Sequence, residues 1–505
     1  MSLIKIENLT FSYPSSFDSV FENVSFQIDT RWRLGVIGRN GRGKTTFLKL
    51  LMGQYEYGGS IISSEKFEYF PYSIGNPRDT GEEVVRKLRP EIERWETERE
   101  LSLMDTDLSV LDRPFCTLSG GEKTKLLLAV LFLREGAFPL IDEPTNHLDE
   151  RGRQTVASYL SKKRGFMLVS HDRRFLDGCA DRILAFTKTG IEVQKGNFSS
   201  WFEGFQKAQQ AEELKNQRLK KDIARLNLSA ERASAWSDKT EASKYGDGSV
   251  DKGYVGHKAA KLMKRSKAIE QRRIKAAEQK SELLKNAETA EDLKIFPLSH
   301  HSGTVVSFQK AAPMAGGREV CAPLTFEVKR GECVALTGPN GCGKSTALKL
   351  AAGTGGEYRG EIRMPSGLIV SYVPQDASFI KGDLSRLSAE YRADESLFKA
   401  ILRKLGFKRE QFEKDAADFS DGQKKKTLIA LSLCQKAHLY IWDEPLNYID
   451  IYSRMQIERL IREFRPTMLM AEHDAAFKEA VGARNIEMEP PRERKTFVYN
   501  KFTYR

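Results

Sequence analysis

Residues 38–46 read GRNGRGKTT: Gly38, Arg39, Asn40, Gly41, Arg42, Gly43, Lys44, Thr45 and Thr46. They follow the apolar run RLGVIG (33–38) and precede TFLKLLMG (46–53), which stops at glycine. A glycine-rich turn between a short buried strand and a helix is a GxxxxGK[ST] phosphate-binding loop. The arrangement returns at Gly338, Pro339, Asn340, Gly341, Cys342, Gly343, Lys344, Ser345 and Thr346, after CVALTG (333–338), with the two lysines 300 residues apart. Three further marks recur in order. LSGGE (118–122) returns as FSDGQ (419–423), PLIDEPTNHLD (139–149) as LYIWDEPLNYID (439–450), and SHD with His171 as EHD with His473. Four marks at a near-constant offset are a duplicated unit of about 200 residues. The predicted fold is α/β: a first P-loop domain over 1–202, an interdomain segment over 203–296, and a second P-loop domain over 297–505.

The residue types dictate the chemistry. The glycines let backbone N–H groups turn inward around phosphate oxygens, and the helix N-terminus adds its partial positive charge. Lys44 and Lys344 reach the outer phosphates, and the hydroxyls of Thr45 and Ser345 can bind magnesium. FPLIDE and LYIWDE read as short buried strands, and ligands of open α/β sheets collect at such C-terminal ends. Asp142 and Asp443 there can hold the magnesium shell. Glu143 and Glu444 follow and can polarise an attacking water. Adjacent Asp-Glu is ordinarily a solvated turn, but both copies place the pair at the end of an apolar run. His171 and His473 also follow apolar strands, facing the γ-phosphate. A lone histidine is more often structural, and the repetition favours function.

The 505 residues are 40% hydrophobic and 30% charged, enough for packed cores rather than global disorder. No apolar run approaches the roughly 18–20 residues that cross a bilayer. MSLIKIENLTF has no secretory signal pattern. Six cysteines without a CxxC pair argue against a disulfide scaffold or zinc site and fit a reducing cytoplasm. The net charge of +12 is concentrated: residues 205–290 hold 20 Lys+Arg against 12 Asp+Glu. Leu214, Leu219, Ile223 and Leu226, then Leu262, Ile269, Ile274 and Leu283, recur at helical spacing on either side of a stretch with glycines at 246, 248, 253 and 256. Two long helices joined by that loop make an antiparallel hairpin with its tip at about 236–257. Helices of about 30 residues extend roughly 45 Å. A basic helix is usually a solvated face. Here the excess is nearly one-signed from 258 to 275, which suits a polyanion. Trp236, Tyr245, Tyr254 and His257, beside Lys244, Lys258, Lys261, Lys264 and Arg265, either stack on unpaired bases or cap the helices against each other.

P-loop, LSGGE, Asp-Glu and strand-end histidine, in this order, resemble the nucleotide-binding domain of ATP-binding-cassette (ABC) proteins. Tandem cassettes with a basic helical linker resemble the ABC-F family across essentially the whole chain. RNGRGKTT, RPFCTLSGGEKTK, FPLIDEPTNHLD, KRSKAIEQR and LYIWDEPLNYID are similar to the Lsa-type antibiotic-resistance proteins. The resemblance implies ATP and Mg2+ as cofactors and cassettes of one chain closing head to tail. One site then joins Lys44, Asp142, Glu143 and His171 to Ser420, Gly422 and Gln423. The other joins Lys344, Asp443, Glu444 and His473 to Ser119, Gly120, Gly121 and Glu122. Gln375 (YVPQ) stands at the second metal, and Tyr13 (FSYP) stacks on the first adenine. It further implies a monomer on the 70S ribosome, touching 23S rRNA and P-site tRNA from the tRNA exit site. There the linker would displace lincosamides, pleuromutilins and streptogramin A compounds.

Departures from the family pattern set the two sites apart. Tyr72 stands where the first copy should have a glutamine, and Asp421 replaces a signature glycine facing the first site. Slower hydrolysis at the first site is expected. Competing readings are an ABC-F factor relieving stalled ribosomes, the ATPase subunit of a membrane exporter, and a DNA-associated structural ATPase. The charged hairpin has no role in an exporter. Only 75 residues separate Lys44 from Ser119, too few for the coiled coil of the last class and little room for the extra arm of many translation factors.

Overall fold

The computed structural model describes residues 2–14, 19–134, 136–187, 190–211 and 293–491, together with 214, 215, 217, 218 and 221. Two compact units result, one of residues 1–199 with 290–505 and one of 200–289. In the second, residues 200–211 are helical, and Trp201 stacks on Phe205 with ring centroids 5.1 Å apart. The hairpin, its tip and the tail 492–505 lie outside the described residues.

The first unit holds both copies, each built on a sheet whose strands run largely in parallel. In the first copy the order is Lys66–Phe70, Ala137–Asp142, Phe166–Val169, Arg33–Gly38, Arg182–Phe186, Ile191–Lys195, and only the last pair is antiparallel. In the second it is Val370–Val373, Leu439–Asp443, Met468–Ala471, Cys333–Thr337, Arg484–Glu487, parallel throughout. Phe166–Val169 and Met468–Ala471 are buried at every position, as strands covered on both faces must be. On one face of the first sheet, Val36, Phe47, Leu140 and Phe186 pack with Ile4, Ile6 and Ile28 of an antiparallel sheet formed by Ser19–Asp29, Leu3–Ser12 and Gly58–Ile62. The second copy repeats this with Val306, Phe308 and Val328. On its other face Trp442 and Phe398 centre a core that includes Leu428 and Leu431 of the helix Asp421–Cys434.

This layering brings the C-terminal ends of Arg33–Gly38, Ala137–Asp142 and Phe166–Val169 to one edge, and their counterparts likewise. No helix among the described residues is long and apolar enough to cross a membrane.

Candidate functional site

Each phosphate-binding loop leads into a short helix, Lys44–Leu51 or Lys344–Ala351. Gly43 lies at φ 89°, and a Cβ there would sit 2.6 Å from Val20 Cγ1 and 2.8 Å from Phe21 Cζ, so only glycine closes the turn. Lys44 Nζ donates to the carbonyls of Gly38 at 2.8 Å and Arg39 at 3.2 Å. Lys344 Nζ donates to those of Gly338 and Pro339, both at 2.9 Å. Each ammonium is thus held over the hollow of its own loop. The Tyr13 hydroxyl hydrogen-bonds Thr46 Oγ1 at 2.7 Å, and its ring meets Phe11 and Tyr55 edge-on. An aromatic wall therefore stands on the first loop, whereas the second copy has Ala315 in the comparable strand.

The aspartates face the loop hydroxyls. Thr45 Oγ1 donates to Asp142 Oδ2 at 2.8 Å, and the Tyr69 hydroxyl donates to the same oxygen at 3.0 Å. Ser345 hydrogen-bonds Asp443, whose carboxyl burial pushes up to about 6 despite that bond. Asp443 Oδ1 is buried with no hydrogen-bond partner. A hydroxyl beside a carboxylate oxygen with free lone pairs is a hard-oxygen donor set, which fits Mg2+.

One residue on, both glutamates adopt left-handed backbone, φ 50° at Glu143 and 45° at Glu444. Such strain costs about 1–3 kcal/mol and concentrates at working sites. His171 Nε2 lies 3.2 Å from Glu143 Oε1, and His473 Nε2 lies 3.4 Å from Glu444 Oε1. There the likeness ends. Glu444 Oε2 accepts from Gln375 Nε2 at 2.8 Å and from Asn447 Nδ2 at 2.6 Å. Tyr72, the counterpart of Gln375, instead accepts from Arg89 Nη2 at 3.1 Å, beside Glu68. Burial and the neighbouring Asp142 push Glu143 up to about 8. Burial also raises Glu444, but His473, Gln375 and Lys344 outweigh it and hold the carboxyl down to about 2. Burial and the Lys44 charge hold His171 well below the usual imidazole value. Burial thus disfavours the charged forms of Glu143 and His171, whereas Glu444 is held as a carboxylate.

Sequence reasoning did not anticipate Lys425. It is buried, and its Nζ donates to the carbonyls of Pro374 at 2.8 Å, Gln375 at 3.0 Å and Asp443 at 3.1 Å. One ammonium ties the Gln375 loop to the strand end carrying Asp443. Burial lowers its pKa to about 8. The first copy has Thr124 at this place, the one signal the sequence offers.

The signature serines are helix caps. Ser119 Oγ accepts from Glu122 N, and Glu122 Oε2 accepts from Ser119 N. Ser420 and Gln423 repeat this capping box. Gly120 and Gly121 open the first capped helix. Asp421, the first residue of the second, is exposed.

Across the copies, Asn40 Nδ2 donates to the Tyr448 carbonyl at 2.8 Å, and a Cβ on Gly422 would lie 2.9 Å from that nitrogen. Asn340 Nδ2 donates to the His147 carbonyl at 3.1 Å. The Arg39 guanidinium stands 5.6 Å from the centre of the Tyr452 ring. A cavity of about 380 Å3 brings Lys344, Ser345, Thr346, Gln375, Glu444 and His473 together with Gly120, His147 and Leu148 of the other copy. Each loop thus faces the other copy's signature turn. The expected contacts of Trp236, Lys244, Tyr245, Tyr254, His257, Lys258, Lys261, Lys264 and Arg265 lie outside the described residues.

A family model described as ABC transporter matches residues 21–146 and 321–447. The chain is 27% identical over 485 residues to the ribosome protection protein VmlR of Bacillus subtilis, covering 93% of this chain and 84% of that one. It is 26% identical over 550 residues to the putative ATP-binding protein YdiF of the same organism, covering 97% and 80%. In fold it is similar to the archaeal ribosome recycling factor aABCE1, solved with the stalk protein aP1, at a TM-score of 0.62, 20% identity, and 96% and 88% coverage.

Proposed function

The chain belongs to the ABC transporter family, and we propose that it acts as an ABC-F ATPase on the bacterial ribosome, using its interdomain segment to dislodge antibiotics from the peptidyl transferase centre. Its cassettes are ATPase domains. The observation that carries the reading is the head-to-tail facing of each loop with the other copy's signature turn. A γ-phosphate held by Lys44 or Lys344 would bridge the copies, so its loss on hydrolysis removes binding energy from the closed state alone.

Within each site the residues divide the work. The loop N–H groups and lysine bind the phosphates. Thr45 with Asp142, and Ser345 with Asp443 and Gln375, would hold Mg2+, which supplies charge neutralisation at the phosphate oxygens. Glu444, already a carboxylate, accepts a proton from water, and His473 orients that carboxylate. Burial disfavours the carboxylate form of Glu143, and no glutamine supports it. The first site is the slower one.

The basic segment 203–296, its charge and the relative named a ribosome protection protein support the rest. In the ATP-bound state a monomer occupies the tRNA exit site, contacting 23S rRNA and P-site tRNA. The tip at 236–257 displaces lincosamides, pleuromutilins and streptogramin A compounds, and hydrolysis releases the protein. The working location is the cytoplasm. The alternative is an ABC-F factor relieving stalled ribosomes. A susceptibility panel in a drug-sensitive host separates the two. Wild type should raise inhibitory concentrations at least several-fold, and Glu143→Gln/Glu444→Gln should not. Equal susceptibility with and without the wild-type protein would reject the resistance reading.

A further inference from the structure

Arg173 and Glu458 join the copies through a paired contact, Nη2 to Oε1 at 2.6 Å and Nη1 to Oε2 at 3.2 Å, with both side chains nearly buried. Arg173 stands two residues after His171 in the sequence. Its duplicated positions are Ala475, two residues after His473, and Ala157 on the helix Glu150–Ser161. The register is fixed by a repeated contact: Arg153 pairs with Asp172 at 2.9 Å, and Arg454 with Asp474 at 2.8 Å. Two alanines therefore stand where the other side has a guanidinium and a carboxylate.

The space so vacated is a cavity of about 280 Å3, lined by Glu150, Arg153, Ala157, Arg174, His473 and Ala475 among others. It has room for several waters, each of which takes about 30 Å3 in the liquid. His473 also lines the cavity that holds Lys344, Ser345 and Glu444, so one residue borders both spaces. Arg153 and Arg174 on the wall are balanced by Asp172 and Glu479. A tetrahedral anion there meets guanidinium donors without an uncompensated charge to trap it.

We propose that this cavity is the exit for inorganic phosphate cleaved at the second site, with His473 as its gate, and that the Arg173–Glu458 pair denies the first site the equivalent route. The proposal rests on hydrolysis at the Lys344 site. The test transplants the plug as Ala157→Glu/Ala475→Arg in full-length protein carrying Glu143→Gln, so that only the second site turns over. Acid quench reads ATP cleavage, and a fluorescent phosphate-binding protein reads release. Cleavage should keep its rate while release slows by about tenfold, equivalent to about 1.4 kcal/mol on the exit barrier. Release that keeps pace with cleavage in the folded variant overturns the proposal. Should the transplant lose its unfolding transition, Ala475→Leu fills the same space with an apolar side chain and is read in the same way. Absence of cleavage in the Glu143→Gln parent would remove the premise, an outcome distinct from unchanged release.

Discussion

Glu143 and Glu444 occupy the same place in two copies, yet their surroundings push the two carboxyls in opposite directions. Burial beside Asp142 raises the first to about 8, while His473, Gln375 and Lys344 overcome burial and hold the second at about 2. A general base works only when deprotonated. Hydrolysis in Glu444→Gln, which leaves the first site, should climb as pH rises from about 7 to 9. Hydrolysis in Glu143→Gln should stay flat over that range, and parallel profiles would refute the difference. Lys425 carries a second prediction. In Lys425→Met three carbonyls lose their donor, and the buried one on Asp443 costs about 1–3 kcal/mol if it stays unsatisfied. The melting temperature should fall, and Glu143→Gln/Lys425→Met should cleave ATP more slowly than Glu143→Gln alone. Unchanged cleavage would show that Lys425 does not position Gln375 and Asp443. Lys44, Asp142 and His171 were legible because each sits at a fixed offset from a strand end. Tyr69 on Asp142 and Lys425 on Asp443 were not, because those contacts form only once segments separated in the sequence become neighbours.

At the scale of elements, the strands and the helices after each loop were legible from short apolar runs ending at glycine, and the antiparallel sheets were not. Leu3–Ser12 and Ser19–Asp29 mix buried and exposed residues with register shifts, so neither presents a clean alternation. The cross-copy pairs were also invisible, since 285 positions separate Arg173 from Glu458 and nothing local marks either. That pair makes a sharp stability prediction. Arg173→Met leaves a buried carboxylate without its partner and should cost about 3–5 kcal/mol in the cooperative transition that includes the interface. Arg173→Met/Glu458→Met should recover most of the loss, because matched apolar groups replace a buried ion pair at little cost. A double variant as unstable as the single one would show that the damage lies elsewhere.

At the scale of the molecule, duplication was readable from four marks at a near-constant offset, and asymmetry from Tyr72 and Asp421. How the asymmetry is expressed was not readable. It resides in a tyrosine drawn to Arg89, a lysine tying a loop, and a plug present on one side only. This pair of unlike ATPase sites is joined to a basic segment whose grip on ribosomal RNA should weaken with salt. ATP held between the copies should fix the protein on the ribosome. Co-sedimentation with 70S ribosomes tests this most directly, comparing Glu143→Gln/Glu444→Gln with wild type in ATP and in ADP. The double variant should accumulate in the ribosomal pellet with ATP, well above wild type and above its own level in ADP. Pelleting no greater than wild type, or equal in the two nucleotides, would contradict it.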